Sequence, residues 1–159
     1  ILKNIYEKLG VKSIFKGNCL LLKKEQMNFP NSINLNLSKS PDIAQTIAVT
    51  CYGLGIGCNL EGLHTLKIKE TDRLVALERE LKKLGATIKI TKSSLILSPG
   101  NNFIRNCSIS TYNDHRMAMS FAPLSLKIPL QIKNYKVVSK SYPNFWKDLV
   151  KLNFIIDMR

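Results

Sequence analysis

The stretch "KKLGATIKITKSSLIL" (82–97) decides the fold, because "EKLGVKSIFKGNCLLL" (7–22) lies over it without a gap. Lys8, Leu9 and Gly10 fall on Lys83, Leu84 and Gly85, an offset of 75 residues. Each copy reads as a helix that ends in Lys-Leu-Gly, with glycine as the left-handed C-cap, followed by two short β-rich runs around a polar turn. Working outward, "SPDIAQTIAV" (40–49) matches "YNDHRMAMSF" (112–121) in type, with Asp42 on Asp114. "LHTLKIK" (63–69) meets "NYKVVSK" (134–140), with Lys69 on Lys140. Order is kept and spacing is nearly kept, which is the signature of a repeat of about 70 residues. The unit reads β-α-β-α-β-β: an extended run ("SINLNLS", "CSISTY"), an apolar helix opening at Asp42 or Asp114, a strand ending at Lys69 or Lys140, a second helix and a hairpin. The chain is expected to start inside one copy and stop inside another. The fold class is α/β (α+β), with mixed sheets around buried helices.

The helix expected over 72–84 has the clearest periodicity. Leu74, Leu77, Leu81 and Leu84 share one face, and Glu78, Arg79, Lys82 and Lys83 share the other. The helices after Asp42 and Asp114 are apolar nearly all round and belong in the core. "GLGIG" (53–57) reads as a helix end and loop.

With 24 Lys+Arg against 11 Asp+Glu among 159 residues, the chain carries +13 and favours an anionic partner: nucleic acid, acidic lipid or a phosphorylated small molecule. Cys19, Cys51, Cys58 and Cys107 form no CxxC pair and have no histidine at ligand spacing, which reads as reduced thiols in a cytoplasmic protein without a zinc site. No apolar run approaches about 18 residues, so membrane insertion is disfavoured. Residue 1 is Ile, from which a piece of a longer chain is expected.

"LKIKETDRLVAL" (66–77) crowds Lys69, Glu70, Asp72 and Arg73 onto a helix start. With Thr71 as cap, Asp72 suits the positive end of the helix dipole and Arg73 does not, at a cost of about 0.3–1 kcal/mol. Asp114 and Arg116 repeat the conflict. An anion held by backbone N–H groups and both arginines would resolve it. Alternatively, each arginine pairs with its neighbouring aspartate or reaches into water. Asp42 is either a dipole-stabilising first-turn carboxylate or part of the same site. Lys69 and Lys140 are either solvated or phosphate-binding. Glu70, flanked by Lys69 and near Arg73, is the candidate acid or base. His115 is either a titrating group or a structural hydrogen-bonder.

"LKIKETDRL" (66–74) and "TYNDHRMAM" (111–119), with "SPD" (40–42) before and "SKSYPNF" (139–145) after, resemble the C-terminal lobe of the 5-enolpyruvylshikimate-3-phosphate synthase family. The resemblance implies repeated βαβαββ units of the enolpyruvyl transferase type. Residues 1–159 would form a partial C-terminal lobe of about two units, with the N-terminal lobe absent from this chain and the isolated chain inactive. The family joins phosphoenolpyruvate to the 5-hydroxyl of shikimate 3-phosphate and releases phosphate through a tetrahedral intermediate. By resemblance, Asp42 is the base for that hydroxyl and Glu70 shuttles a proton to the enolpyruvyl methylene. Lys69 contacts the shikimate phosphate side, Arg73 and Arg116 clamp the phosphoenolpyruvate carboxylate beside His115, and Lys140 holds its phosphate. No metal or organic cofactor is implied, and the implied partners are the two substrates and the N-terminal lobe, without nucleic acid or membrane. Thr65 stands where some members carry Asn, which departs from the family on the shikimate side. Rival readings are a UDP-sugar enolpyruvyl transferase lobe, a basic nucleic-acid-binding module and an inert structural fragment. Basic residues never adjoin in runs longer than two, which weighs against nucleic acid.

Overall fold

The structure is a computed structural model that describes residues 1–25, 28–100 and 102–158. It opens with helix α1 (Leu2–Glu7) and an antiparallel hairpin of β1 (Val11–Lys16) and β2 (Cys19–Lys24). A complete βαβαββ unit follows. Strand β3 (Ser32–Asn36) leads through a 3-10 turn (Pro41–Ile43) into helix α2 (Ala44–Leu54) and returns as β4 (Gly57–Glu61), parallel to β3 with Ile33 opposite Cys58. Helix α3 (Arg73–Lys83) then feeds the hairpin of β5 (Ile88–Ile90) and β6 (Leu95–Leu97). Strand β6 pairs antiparallel with β4, which gives a four-stranded sheet in the order β3-β4-β6-β5.

The next copy begins with β7 (Ser108–Ile109), helix α4 (His115–Phe121) and β8 (Gln131–Ile132), again a parallel pair bridged by a helix, and continues into helix α5 (Phe145–Lys151). The fold is therefore the expected mixed α/β repeat. The apolar run after Asp114 splits: α4 gives way to a 3-10 turn (Ala122–Leu126), because Pro123 lacks the N–H that the next α-helical turn needs.

Helix α2 explains why its sequence is apolar all round, since it packs against α3, α4 and β4 at once. Ile47, Ala48, Cys51 and Tyr52 are buried, and the Tyr52 hydroxyl donates to the Leu84 carbonyl at 2.6 Å, joining α2 to the end of α3. The α3 stripe of Leu74, Leu77, Leu81 and Leu84 is fully buried, while Arg79, Lys82 and Lys83 face outward. Both Lys-Leu-Gly ends turn as expected, with φ of 80° at Gly10 and 97° at Gly85.

Two expectations need correction. Lys69 and Lys140 do not end strands, for "HTLKI" (64–68) and "YKVVSK" (135–140) are 3-10 turns. In the first, Leu63 and Leu66 are buried three positions apart while Ile68 is 84% exposed, and in the second Val137 and Val138 are adjacent and both buried. Neither set has the period of two that a strand needs. His64 accordingly opens a 3-10 turn and does not lie on a strand. The cap of α3 is Asp72 and not Thr71: the Asp72 carboxylate accepts from the Val75 N–H at 3.1 Å.

Gly62 makes the connection from β4 to the 64–68 turn. Its φ is 77°, and a Cβ there would lie 2.5 Å from the Ser38 backbone nitrogen. Only glycine lets this turn press on the segment that leads to Asp42. Gly62→Ala is expected to lower unfolding free energy by about 1–3 kcal/mol in denaturant titration.

Burial raises the Tyr52 and Tyr6 hydroxyls above the ordinary value of 10.0. A phenol whose folded value is raised favours the folded state fully below the unfolded value, and that contribution is lost as pH rises through the folded one. Stability is therefore expected to fall from about pH 10 upward, and the fall to be shallower in Tyr52→Phe, as followed by urea midpoints across pH.

Candidate active site

Arg73 is the first residue of α3, and its guanidinium is 2% exposed. A buried guanidinium requires partners on all sides, and three carboxylates supply them. Nε donates to Asp114 Oδ2 at 2.7 Å, Nη1 to Asp42 Oδ1 at 2.9 Å and Nη2 to Glu70 Oε2 at 2.6 Å. A weaker bond joins Nη2 to Asp114 Oδ1 at 3.4 Å. Asp42 and Asp114, the equivalent residues of successive repeats, thus meet on one arginine.

Above this buried pair lies a half-exposed layer. Lys69 Nζ is 3.4 Å from Asp42 Oδ1, and Arg116 Nη2 is 3.7 Å from Asp42 Oδ2. Arg116 Nη1 also donates to the Asp42 carbonyl at 3.2 Å. The side chains of Asp42, Lys69, Glu70 and Arg116 are 35–43% exposed, open to a ligand, while Asp114 is fully buried. His115 Nδ1 lies 4.0 Å from Asp114 Oδ1. Six of the seven residues singled out in the sequence, namely Asp42, Lys69, Glu70, Arg73, His115 and Arg116, therefore lie in this cluster or border it.

Lys140 is placed differently. It is exposed and lines a groove of about 580 Å³ with Asn113, Lys133 and Lys136, next to the cluster through Asn113, the residue before Asp114. Its 3-10 turn is held on α4 by Val137 and Val138, which pack with Ala118. Thr65 Oγ1 is enclosed without a hydrogen-bond partner among the described residues.

The dipole conflict at the two helix starts is resolved in a way the sequence did not anticipate. Each N-terminus is capped by its own aspartate, since Asp72 accepts from Val75 N–H and Asp114 from Arg116 N–H at 2.9 Å. Arg73 is balanced by Glu70 three residues away and by carboxylates 31 and 41 residues away, and not by the adjacent Asp72. The free N–H groups and bare arginine pair expected for an external anion are thus largely taken by the protein's own carboxylates. Arg116 and Lys69 remain the accessible cations of the cluster.

Sequence reasoning missed Glu80, which is fully buried on α3. It accepts from the Tyr112 hydroxyl at 2.6 Å, from the Ser110 N–H at 3.1 Å and from Lys83 Nζ at 2.7 Å. Burial, and then this bond to Glu80, raises the Tyr112 hydroxyl above its ordinary value. The signal was present: Glu80 stands three residues after Leu77 and four before Leu84, on the apolar stripe. Tyr112 and Asn113 have φ of 53° and 57° and are bridged by Asp114 N–H to Thr111 O at 2.9 Å, the signature of a type I′ turn. Left-handed backbone costs a non-glycine residue about 1–2 kcal/mol.

A family model described as EPSP synthase (3-phosphoshikimate 1-carboxyvinyltransferase) matches residues 1–149. The chain belongs to this family. It is 40% identical over 153 residues to the 3-phosphoshikimate 1-carboxyvinyltransferase of Bacteroides fragilis (strain YCH46), covering 94% of this chain and 37% of that protein. It is 33% identical to the enzyme of the same name from Buchnera aphidicola subsp. Acyrthosiphon pisum (strain Tuc7), covering 96% of this chain and 35% of that protein. The chain thus spans little more than a third of the length of these EPSP synthase relatives. Among solved structures it is similar to EPSP synthase from Acinetobacter baumannii, with a TM-score of 0.69 at 18% identity over 93% of this chain and 37% of that one. It is also similar to the enolpyruvyl transferase NikO from Streptomyces tendae, with a TM-score of 0.64 at 16% identity, covering 94% of this chain and 34% of that one. These structural likenesses establish the fold. Membership of the EPSP synthase family goes against the nucleic-acid-binding and UDP-sugar readings.

Arg73→Ala would leave Asp114 buried and unpaired, and is expected to cost about 3–5 kcal/mol of unfolding free energy. Arg116→Ala, at a half-exposed position, is expected to cost at most about 1 kcal/mol. Thermal unfolding of the two variants beside the unaltered chain checks this difference.

Proposed function

We propose that this chain supplies the C-terminal-lobe side of a 3-phosphoshikimate 1-carboxyvinyltransferase active site, transferring the enolpyruvyl group of phosphoenolpyruvate to the 5-hydroxyl of shikimate 3-phosphate. The observation that carries the reading is the convergence of Asp42, Lys69, Glu70, Arg73 and Arg116 from separate segments of the repeat, in a chain of this family. In this reading Asp42, held between Lys69, Arg73 and Arg116, accepts the proton of the 5-hydroxyl as its oxygen attacks the second carbon of phosphoenolpyruvate. Glu70 delivers a proton to the methylene carbon to form the tetrahedral intermediate. It then takes a proton back from the resulting methyl group as the carbon–oxygen bond to phosphate breaks. Arg116 binds the phosphoenolpyruvate carboxylate. Arg73 joins it when Glu70, which is half-exposed, swings off Nη2. Lys69 faces the shikimate phosphate and Lys140 the phosphate that leaves, so fixed cations stabilise the charge that develops. His115 borders the carboxylate site. The remaining contacts to both substrates come from the other lobe.

Calorimetry with phosphoenolpyruvate is expected to show weak binding to this chain and affinity lower by about tenfold or more in Arg116→Ala, the loss of one charge-assisted bidentate contact. Equal heats for the two proteins would exclude Arg116 from the anion site. When this chain replaces the matching segment of the Bacteroides fragilis enzyme, turnover is expected, and Glu70→Gln in that chimera should lower kcat by about 10²–10⁴. A near-normal rate in the Gln variant would remove Glu70 from the proton path.

A further inference from the structure

We propose that Glu80 is a positioning residue: its buried carboxylate, through Ser110 and Tyr112, holds the left-handed Tyr112–Asn113 turn that aims Asp114 at Arg73. Arg73 and Glu80 stand seven residues apart on α3, two turns and about 10 Å along the same face. Both are buried, at 2% and 0% exposure, although both side chains are ionisable. Each grips the same short segment, Arg73 through the Asp114 carboxylate at 2.7 Å and Glu80 through the Ser110 N–H and the Tyr112 hydroxyl.

Between these two grips lies the turn with φ of 53° at Tyr112 and 57° at Asn113. Asparagine tolerates this region, whereas a bulky residue does so only when its surroundings over-determine it. The 2.6 Å bond from the Tyr112 hydroxyl to Glu80 supplies that constraint, and Lys83 Nζ balances the carboxylate at 2.7 Å from both of its oxygens. Relaxation of the turn moves Asp114, and with it the cap on the Arg116 N–H and one of the three carboxylates that hold Arg73. Glu80 touches no substrate in the function proposed above, and its bearing on catalysis rests on that reading. Its effect on the turn does not.

Hydrogen exchange followed by NMR on the whole chain tests this, read at the Arg73 Nε–H and the Arg116 backbone N–H with the Leu77 and Leu81 amides as internal controls. Tyr112→Phe, which removes only the hydroxyl, and Glu80→Gln are expected to speed exchange at the two reporter sites about tenfold or more while the controls hold within about twofold. Tyr112→Gly removes more of the side chain yet takes positive φ without strain, so it is expected to restore protection at both reporters. Unchanged reporters in Tyr112→Phe, or a glycine variant worse than the phenylalanine one, would overturn the proposal. Titration of phosphoenolpyruvate into the same proteins separates the two claims. If the unaltered chain does not bind, the functional reading fails and the exchange data still decide on Glu80. If it binds, Kd should rise in Tyr112→Phe and recover in Tyr112→Gly.

Discussion

A positive charge buried at the start of a helix is the constraint around which this chain is arranged. The Arg73 guanidinium is removed from water and sits at the positive end of α3, where desolvation and the helix dipole both oppose it. Three carboxylates offset both penalties, and they arrive from the 3-10 turn before α2, from the loop before α3 and from the cap of α4. Truncating the arginine strands Asp114 in the interior, and misplacing any carboxylate leaves a guanidinium N–H unpaired. The charge network therefore fixes the relative positions of three segments that apolar packing alone would allow to slide.

The same network sets the electrical character of the site. Asp42, Glu70 and Asp114 offset Lys69, Arg73 and Arg116, so the cluster is close to neutral although the whole chain carries +13. The basic excess lies elsewhere, including Lys133, Lys136 and Lys140 along the neighbouring groove. Such an arrangement suits acid–base chemistry beside an anion better than simple capture of an anion. Carboxylates and cations are kept within reach of one another, and the outer layer stays open while the inner pair is sealed.

Much of the fold was legible because the repeat writes it twice. The Lys-Leu-Gly helix ends, the hairpins after them, the all-apolar α2 and the striped α3 each follow from spacing and turn chemistry. The strands expected before Lys69 and Lys140 were misread because short runs with β-branched residues resemble strands until burial shows a spacing of three or none. The cap of α3 was misplaced by one residue, since Thr71 and Asp72 are both good caps and sequence does not rank them. The residues that gather in the charge cluster could be named from the sequence, Lys140 apart, but most of their pairing could not. One partner of Arg73, Glu70, is three residues away, but the other two lie 31 and 41 residues away along the chain, and local electrostatics suggested an external anion where the fold supplies its own. Glu80 could have been found, as a carboxylate on an apolar stripe.

The most direct test of this account is a double-mutant cycle on unfolding free energy with Arg73→Met, Asp114→Asn and the pair combined. If the buried contact organises the fold, the two substitutions should couple by about 2 kcal/mol or more, the double variant being far less damaged than the single effects imply. A coupling near zero, with the two effects simply additive, would contradict it.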